Sequence, residues 1–82
     1  MWIRTQSRQC LINVDLIEIS ESIAIPVSIR GYQFDSEGYV LLGEYETKEK
    51  ALAVLDNIQQ YITNRVVANM YDVFAMPEAG GE

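Results

Sequence analysis

The chain has 82 residues, 49% hydrophobic and 22% charged, with a formal net charge of −6. That length supports one small domain whose core is marginal without a metal, disulfides or an oligomer to assist it. A single cysteine excludes an intrachain disulfide, and the lack of histidine removes the usual zinc spacings; the acidic balance argues against a general binder of phosphate backbones.

The first half of the chain alternates apolar and polar residues, the period of strands. In Met1-Trp2-Ile3-Arg4-Thr5, the residues Met1, Ile3 and Thr5 share one side and Trp2 and Arg4 the other. Gln6 to Gln9 is polar and predicts a turn. Cys10, Ile12 and Val14 then share a face, so the two runs predict a hairpin with a buried apolar thiol at Cys10. Ile17 and Ile19 continue the pattern, and Ile23, Ile25, Val27 and Ile29 oppose Ala24, Pro26, Ser28 and Arg30. Pro26 has no N–H, which predicts an edge strand or a bulge there. Asp35 to Gly38 reads as a turn. Tyr39 to Tyr45 reads as the next strand, with a bulge at Gly43.

After Tyr45 the period changes. Thr47 suits a helix N-cap, and Glu49 suits the first turn, where the helix dipole favours an acid. Ala51, Leu55, Ile58 and Ile62 form an apolar stripe, widened by Leu52, Val54 and Tyr61, which predicts a helix over 48–64 with an extension through Ala68. Met70 to Met76 predicts a short last strand ended by Pro77. The sum is an α+β fold: a twisted antiparallel sheet of about five strands with one helix on one face, in the order β-β-β-β-α-β. It forms a single domain over 1–77, and 78–82 is a flexible tail.

At "MWIRTQSRQCLINV", "LLGEYETKEKALAVLDNIQQYI" and "VFAMPE" the chain resembles a family of small proteins from phages and prophages of Gram-positive bacteria. The resemblance touches both ends and the helix, about half of the chain, and leaves Asp15 to Gly38 unmatched. It implies a mobile-element setting and carries over no catalytic residue.

Catalytic patterns are scarce. Without histidine, Ser7, Ser20, Ser22, Ser28 and Ser36 lack the usual base of a hydrolytic triad. The glycines make neither a phosphate loop nor a dinucleotide fingerprint. Asp35/Glu37 and Glu44/Glu46 are acid pairs that could hold a hard cation, but they read better as solvated turn and strand charges. An activity without catalysis, metal or cofactor is expected.

Charge is uneven. The first fourteen residues hold Arg4 and Arg8 and no acid, whereas the rest holds four bases against twelve acids. Arginine forks suit phosphates and carboxylates, and aromatic rings stack on bases. Trp2, Arg4, Arg8, Arg30 and Tyr32 are therefore the candidate ligand-binding residues, if their strands lie close together. The alternative is that Trp2 packs in a core or interface while the arginines pair with surface acids.

The expectation is a non-enzymatic phage accessory protein that acts by sequestration, in its most specific form a homo-oligomer that binds a small nucleotide-like signal of host defence. The alternative is an acidic inhibitor or adaptor that meets a host protein through Asp35, Glu37, Glu44, Glu46 and Glu49. With no secretory pattern and no long apolar run, the expected location is the cytoplasm of the host cell, away from membranes and without direct nucleic-acid binding.

Overall fold

The computed structural model describes residues 1–22, 25–63 and 73–78. Its elements are β1 (Trp2–Arg4), β2 (Leu11–Asn13), β3 (Leu16–Ser22), β4 (Ile25–Tyr32), β5 (Val40–Tyr45), α1 (Lys48–Thr63) and β6 (Val73–Ala75). The α+β class stands. The single antiparallel sheet does not: there are two three-stranded sheets, ordered β2-β1-β6 and β3-β4-β5.

Two features divide the sheet. The chain passes from β2 to β3 with only Val14 and Asp15 between them, and it changes partner there, from β1 to β4. The helix then returns the chain so that β6 lies parallel to β1, with Trp2 opposite Val73 and Arg4 opposite Ala75. Parallel neighbours need a long connection, and the whole interior of the chain supplies it.

The predicted hairpin forms, pairing Trp2 with Asn13, Ile3 with Ile12 and Arg4 with Leu11. Ile3, Ile12 and Val14 are buried as expected, but Cys10 is exposed. The strand starts only at Leu11, so Cys10 still belongs to the turn, where alternation no longer fixes which way a side chain points. Pro26 sits in the central strand of its sheet, at the irregularity between Ser20 and Ser22 of β3 and outside the paired part of β5. A missing N–H is tolerated there. A second irregularity, between Ile29 and Arg30, falls opposite Gly43 and Leu41, close to the predicted bulge.

Helix α1 packs on the sheet of β3, β4 and β5. Its buried residues are Ala51, Val54 and Ile58, whereas Leu52 and Ile62 are exposed. The buried stripe is thus rotated toward Val54 from the expected one, because the sheet meets the helix along that line. Thr47 Oγ1 accepts a bond from Lys50 N at 3.1 Å, the expected cap. Thr47→Ala should cost about 0.5–2 kcal/mol, and thermal unfolding measured beside the wild type checks this. The proposed helical extension past Thr63, the start of the last strand at Met70 and the tail from Ala79 lie outside the described residues.

Ile3, Ile29, Leu42 and Met76 are fully buried at the centre. Burial of an aliphatic side chain of this size contributes about 1.5–3 kcal/mol. At Gly31 the backbone of β4 comes close to Val14: a Cβ there would lie 2.6 Å from Val14 Cγ1.

The two sheets are also joined by hydrogen bonds, Asp15 N to Tyr32 O at 2.8 Å and Gln6 N to Leu42 O at 2.7 Å. The Gln6 side chain extends the second junction. Its Oε1 accepts from Glu44 N at 2.9 Å, and its Nε2 donates to Glu44 O at 3.1 Å and to Pro77 O at 3.2 Å. One amide therefore imitates a strand residue beside β5 and ties down the segment after β6. Tyr45 donates its hydroxyl to the same Pro77 carbonyl at 2.8 Å. Burial pushes the Tyr45 phenol up to about 12, against the opposing effect of the neighbouring Gln6 amide, so it remains a neutral donor.

Candidate functional site

The expected pocket required the first strand and β4 to bring their arginines together. Trp2 and Arg4 lie on the outer face of the first sheet, beside Leu11, Asn13, Val73 and Ala75. Trp2 is half-buried and Arg4 exposed. Arg4 Nη1 donates a long bond to Arg8 O at 3.4 Å. Arg8 occupies the hairpin turn at φ 70° with its side chain exposed. Arg30 and Tyr32 lie in the other sheet. Among the described residues, no hydrogen bond, ion pair or ring contact joins Trp2, Arg4 or Arg8 to Arg30 or Tyr32.

Around Arg30 the structure assembles a set that the sequence pattern did not point to. In the ladder, Arg30 faces Glu18 of β3 on one side and Leu41 of β5 on the other. The connection from β4 to β5 turns at Gly38, where φ is +80°, a conformation suited to glycine. That turn places the Tyr39 ring over the Arg30 guanidinium, 4.0 Å from Cζ to the ring centroid. Tyr39 also meets Tyr32, with centroids 6.1 Å apart. A cation over an aromatic face gains about 0.5–2 kcal/mol, more as water is excluded.

The polar groups of this face are unevenly satisfied. Tyr32 donates its hydroxyl to Glu18 Oε1. That bond is the main reason the Tyr32 phenol is held above its ordinary value, and the Arg30 guanidinium pulls it the other way. Arg30 Nε is buried with no hydrogen-bond partner. The ion pairs among the described residues are Lys48–Glu21 and Lys50–Glu46, so none of the described carboxylates lies within 4.0 Å of the guanidinium. The carboxylate that could have neutralised it, Glu18, is engaged by Tyr32 instead.

Tyr39 over the guanidinium and Leu41 opposite it in the ladder are large and exposed, as are Leu16, opposite Tyr32, and Phe34, in the loop after β4. Phe34 is 78% exposed, Tyr39 50%, and Leu16 and Leu41 44% each. The loop carrying Phe34 is held by bonds from Phe34 N to Asp15 Oδ2 and from Gln33 Nε2 to Asn13 O, both 3.0 Å. Tyr39 was findable in principle: a turn ending at Gly38 puts it level with Tyr32 in a hairpin.

Among the described residues, no three or more Asp, Glu or Cys side chains gather as metal ligands would, and no helix is long and apolar enough to cross a membrane. Glu46 is paired with Lys50, and the Glu44 backbone is bonded to Gln6. No known protein family, curated protein or solved structure matches the chain.

Proposed function

We propose that this chain is a non-enzymatic phage or prophage accessory protein that acts by sequestration in the host cytoplasm, holding a small planar anion of the nucleotide class on the outer face of β4. The observation that carries this reading is the Arg30 guanidinium, stacked on Tyr39 and without an ion-pair partner among the described residues. The phage setting rests on the sequence resemblance alone. An anionic group would take bonds from the outer Nη edge of Arg30, and a base would lie against Tyr39, Leu41 or Phe34. The Glu18 carboxylate opposes an anion from the β3 side, so the approach is from the β5 side, where Leu41 faces Arg30. This face is open, and a second copy would supply the missing wall; homo-oligomerisation is part of the proposal.

The second reading, an acidic adaptor for a host protein, draws on the Phe34 loop. A highly exposed aromatic on a tethered loop, flanked by Asp35 and Glu37, resembles an interface anchor.

Calorimetric titration of the purified protein at low salt with cyclic and linear nucleotides separates the two. The first reading expects saturable binding of at least one nucleotide, weakened by added salt. Absence of binding across the panel rejects it in favour of the adaptor.

A further inference from the structure

The third strand presents an edge that none of the described strands uses. In the order β3-β4-β5, β3 is bonded to β4 on one side only. Among the described residues, no backbone group from elsewhere bonds β3 along its other side. Alternate N–H and C=O groups of a seven-residue strand therefore point outward. The neighbouring part of this edge is taken: β1 pairs with β2, and the pairing ends where Val14 N donates to Met1 O at 2.8 Å. A strand added antiparallel to β3 would continue the line of β1 beyond Met1.

A groove of about 340 Å³ opens where this edge begins, lined by Met1, Leu16 and Ile17 on one side and Leu55, Ile58 and Ile62 of α1 on the other. Leu16 and Ile62 are large and exposed. A free strand edge beside an apolar, helix-walled groove is the arrangement used to bind extended peptides: main-chain bonds supply affinity and the groove selects a side chain.

Charge decides the occupant. Asp15, Glu18 and Glu21 are exposed beside this edge: Asp15 accepts from Phe34 N and Glu18 from the Tyr32 hydroxyl, bonds that leave both carboxylates charged, and Glu21 contacts Lys48 at 3.5 Å. Two copies paired antiparallel through β3 would bring these acids together, which is unfavourable, and each copy carries a net charge of −6. We propose that the β3 edge and its groove dock an extended basic segment of a partner protein, antiparallel to β3, with one apolar side chain in the groove. The proposal does not rest on the anion reading: it uses the main-chain edge of β3 and the groove walled by α1, and Leu16 and Glu18 border both this edge and the face bearing Arg30.

The test uses the full chain and a synthetic peptide of alternating valine and lysine long enough to span β3. Its comparators are a valine–glutamate peptide and a valine–lysine peptide N-methylated at alternate residues, which cannot pair as a strand. Backbone amide spectra should show shifts confined to 14–21 and 55–63 on adding the first peptide. Both comparators should bind at least about ten-fold more weakly, as should the first peptide to Ile62→Asn, an uncharged change at an exposed position whose free spectrum should remain that of the folded wild type. Shifts mapping elsewhere, equal binding of the N-methylated peptide, or no binding at millimolar peptide would overturn the proposal.

Discussion

Replacing Gln6 with alanine should destabilise the protein by about 2–3 kcal/mol, lowering its melting temperature by roughly 10–20 °C. The side chain makes bonds to Glu44 N, Glu44 O and Pro77 O, and the variant leaves all three groups without their partner in a partly buried seam. A neutral bond is worth about 1 kcal/mol net, and the stranded groups raise the cost. The total stability of a domain this size is only about 5–10 kcal/mol, so the loss is large. Gln6→Glu isolates the cause. A carboxylate can still accept from Glu44 N, but it faces two carbonyl oxygens. The charged form is thereby disfavoured, and the folded pKa is raised above the unfolded value. Relative to wild type, Gln6→Glu should be least destabilised below about pH 4, the ordinary glutamate range, and lose stability as pH rises through its folded pKa. Denaturant unfolding of both variants at several pH values reads this directly. An unchanged midpoint for Gln6→Ala would mean that the seam is not held by this amide.

Arg30→Met should leave the fold intact and weaken nucleotide binding by at least about ten-fold, equivalent to roughly 1.4 kcal/mol. The side chain is half-buried and makes no ion pair with a described residue, so the methionine keeps most of its packing while removing the charge. Charge-assisted bonds to an anion are worth about 1.5–3 kcal/mol, which makes ten-fold a lower bound. Glu18→Gln should act in the opposite direction: it removes the like charge opposite Arg30 and tightens binding. The same change should bring the Tyr32 phenol back toward its ordinary range, since the bond to Glu18 is the chief cause of its elevation. Calorimetry gives the affinities and ultraviolet titration the phenol. Weaker binding by Glu18→Gln would show that the anion does not approach this face.

Local structure was legible in the sequence wherever one side of an element meets the core. Alternation placed Ile3, Ile12, Val14, Val27 and Ile29 inside, and the 3.6-residue period with a Thr47 cap gave the start of the helix at Lys48. Alternation ceases to inform at a turn, which is why Cys10 faces solvent. The sheet arrangement was not legible, because periodicity does not say which strands are neighbours. The partner change at Val14–Asp15 and the parallel return of β6 depend on contacts far apart in the chain. Gln6 shows the same limit: it reads as an ordinary turn residue, and its role appears only once β5 and Pro77 are beside it. The candidate site was half visible. Arg30 and Tyr32 were selected for their chemistry and do share a face, whereas Trp2, Arg4 and Arg8 belong to the other sheet, and Tyr39 entered through the turn at Gly38.

The most direct test of the anion site is the arginine side-chain Nε–Hε spectrum, recorded while the tightest nucleotide of the calorimetric panel is added. Arg30 Nε is enclosed under Tyr39 and unpaired, so its resonance should stand apart from those of the exposed Arg4 and Arg8. The account predicts that the Arg30 resonance moves with saturation matching the calorimetric curve, while those of Arg4 and Arg8 stay in place. Movement of Arg4 and Arg8 with a stationary Arg30 would contradict it and return the site to the opening strand.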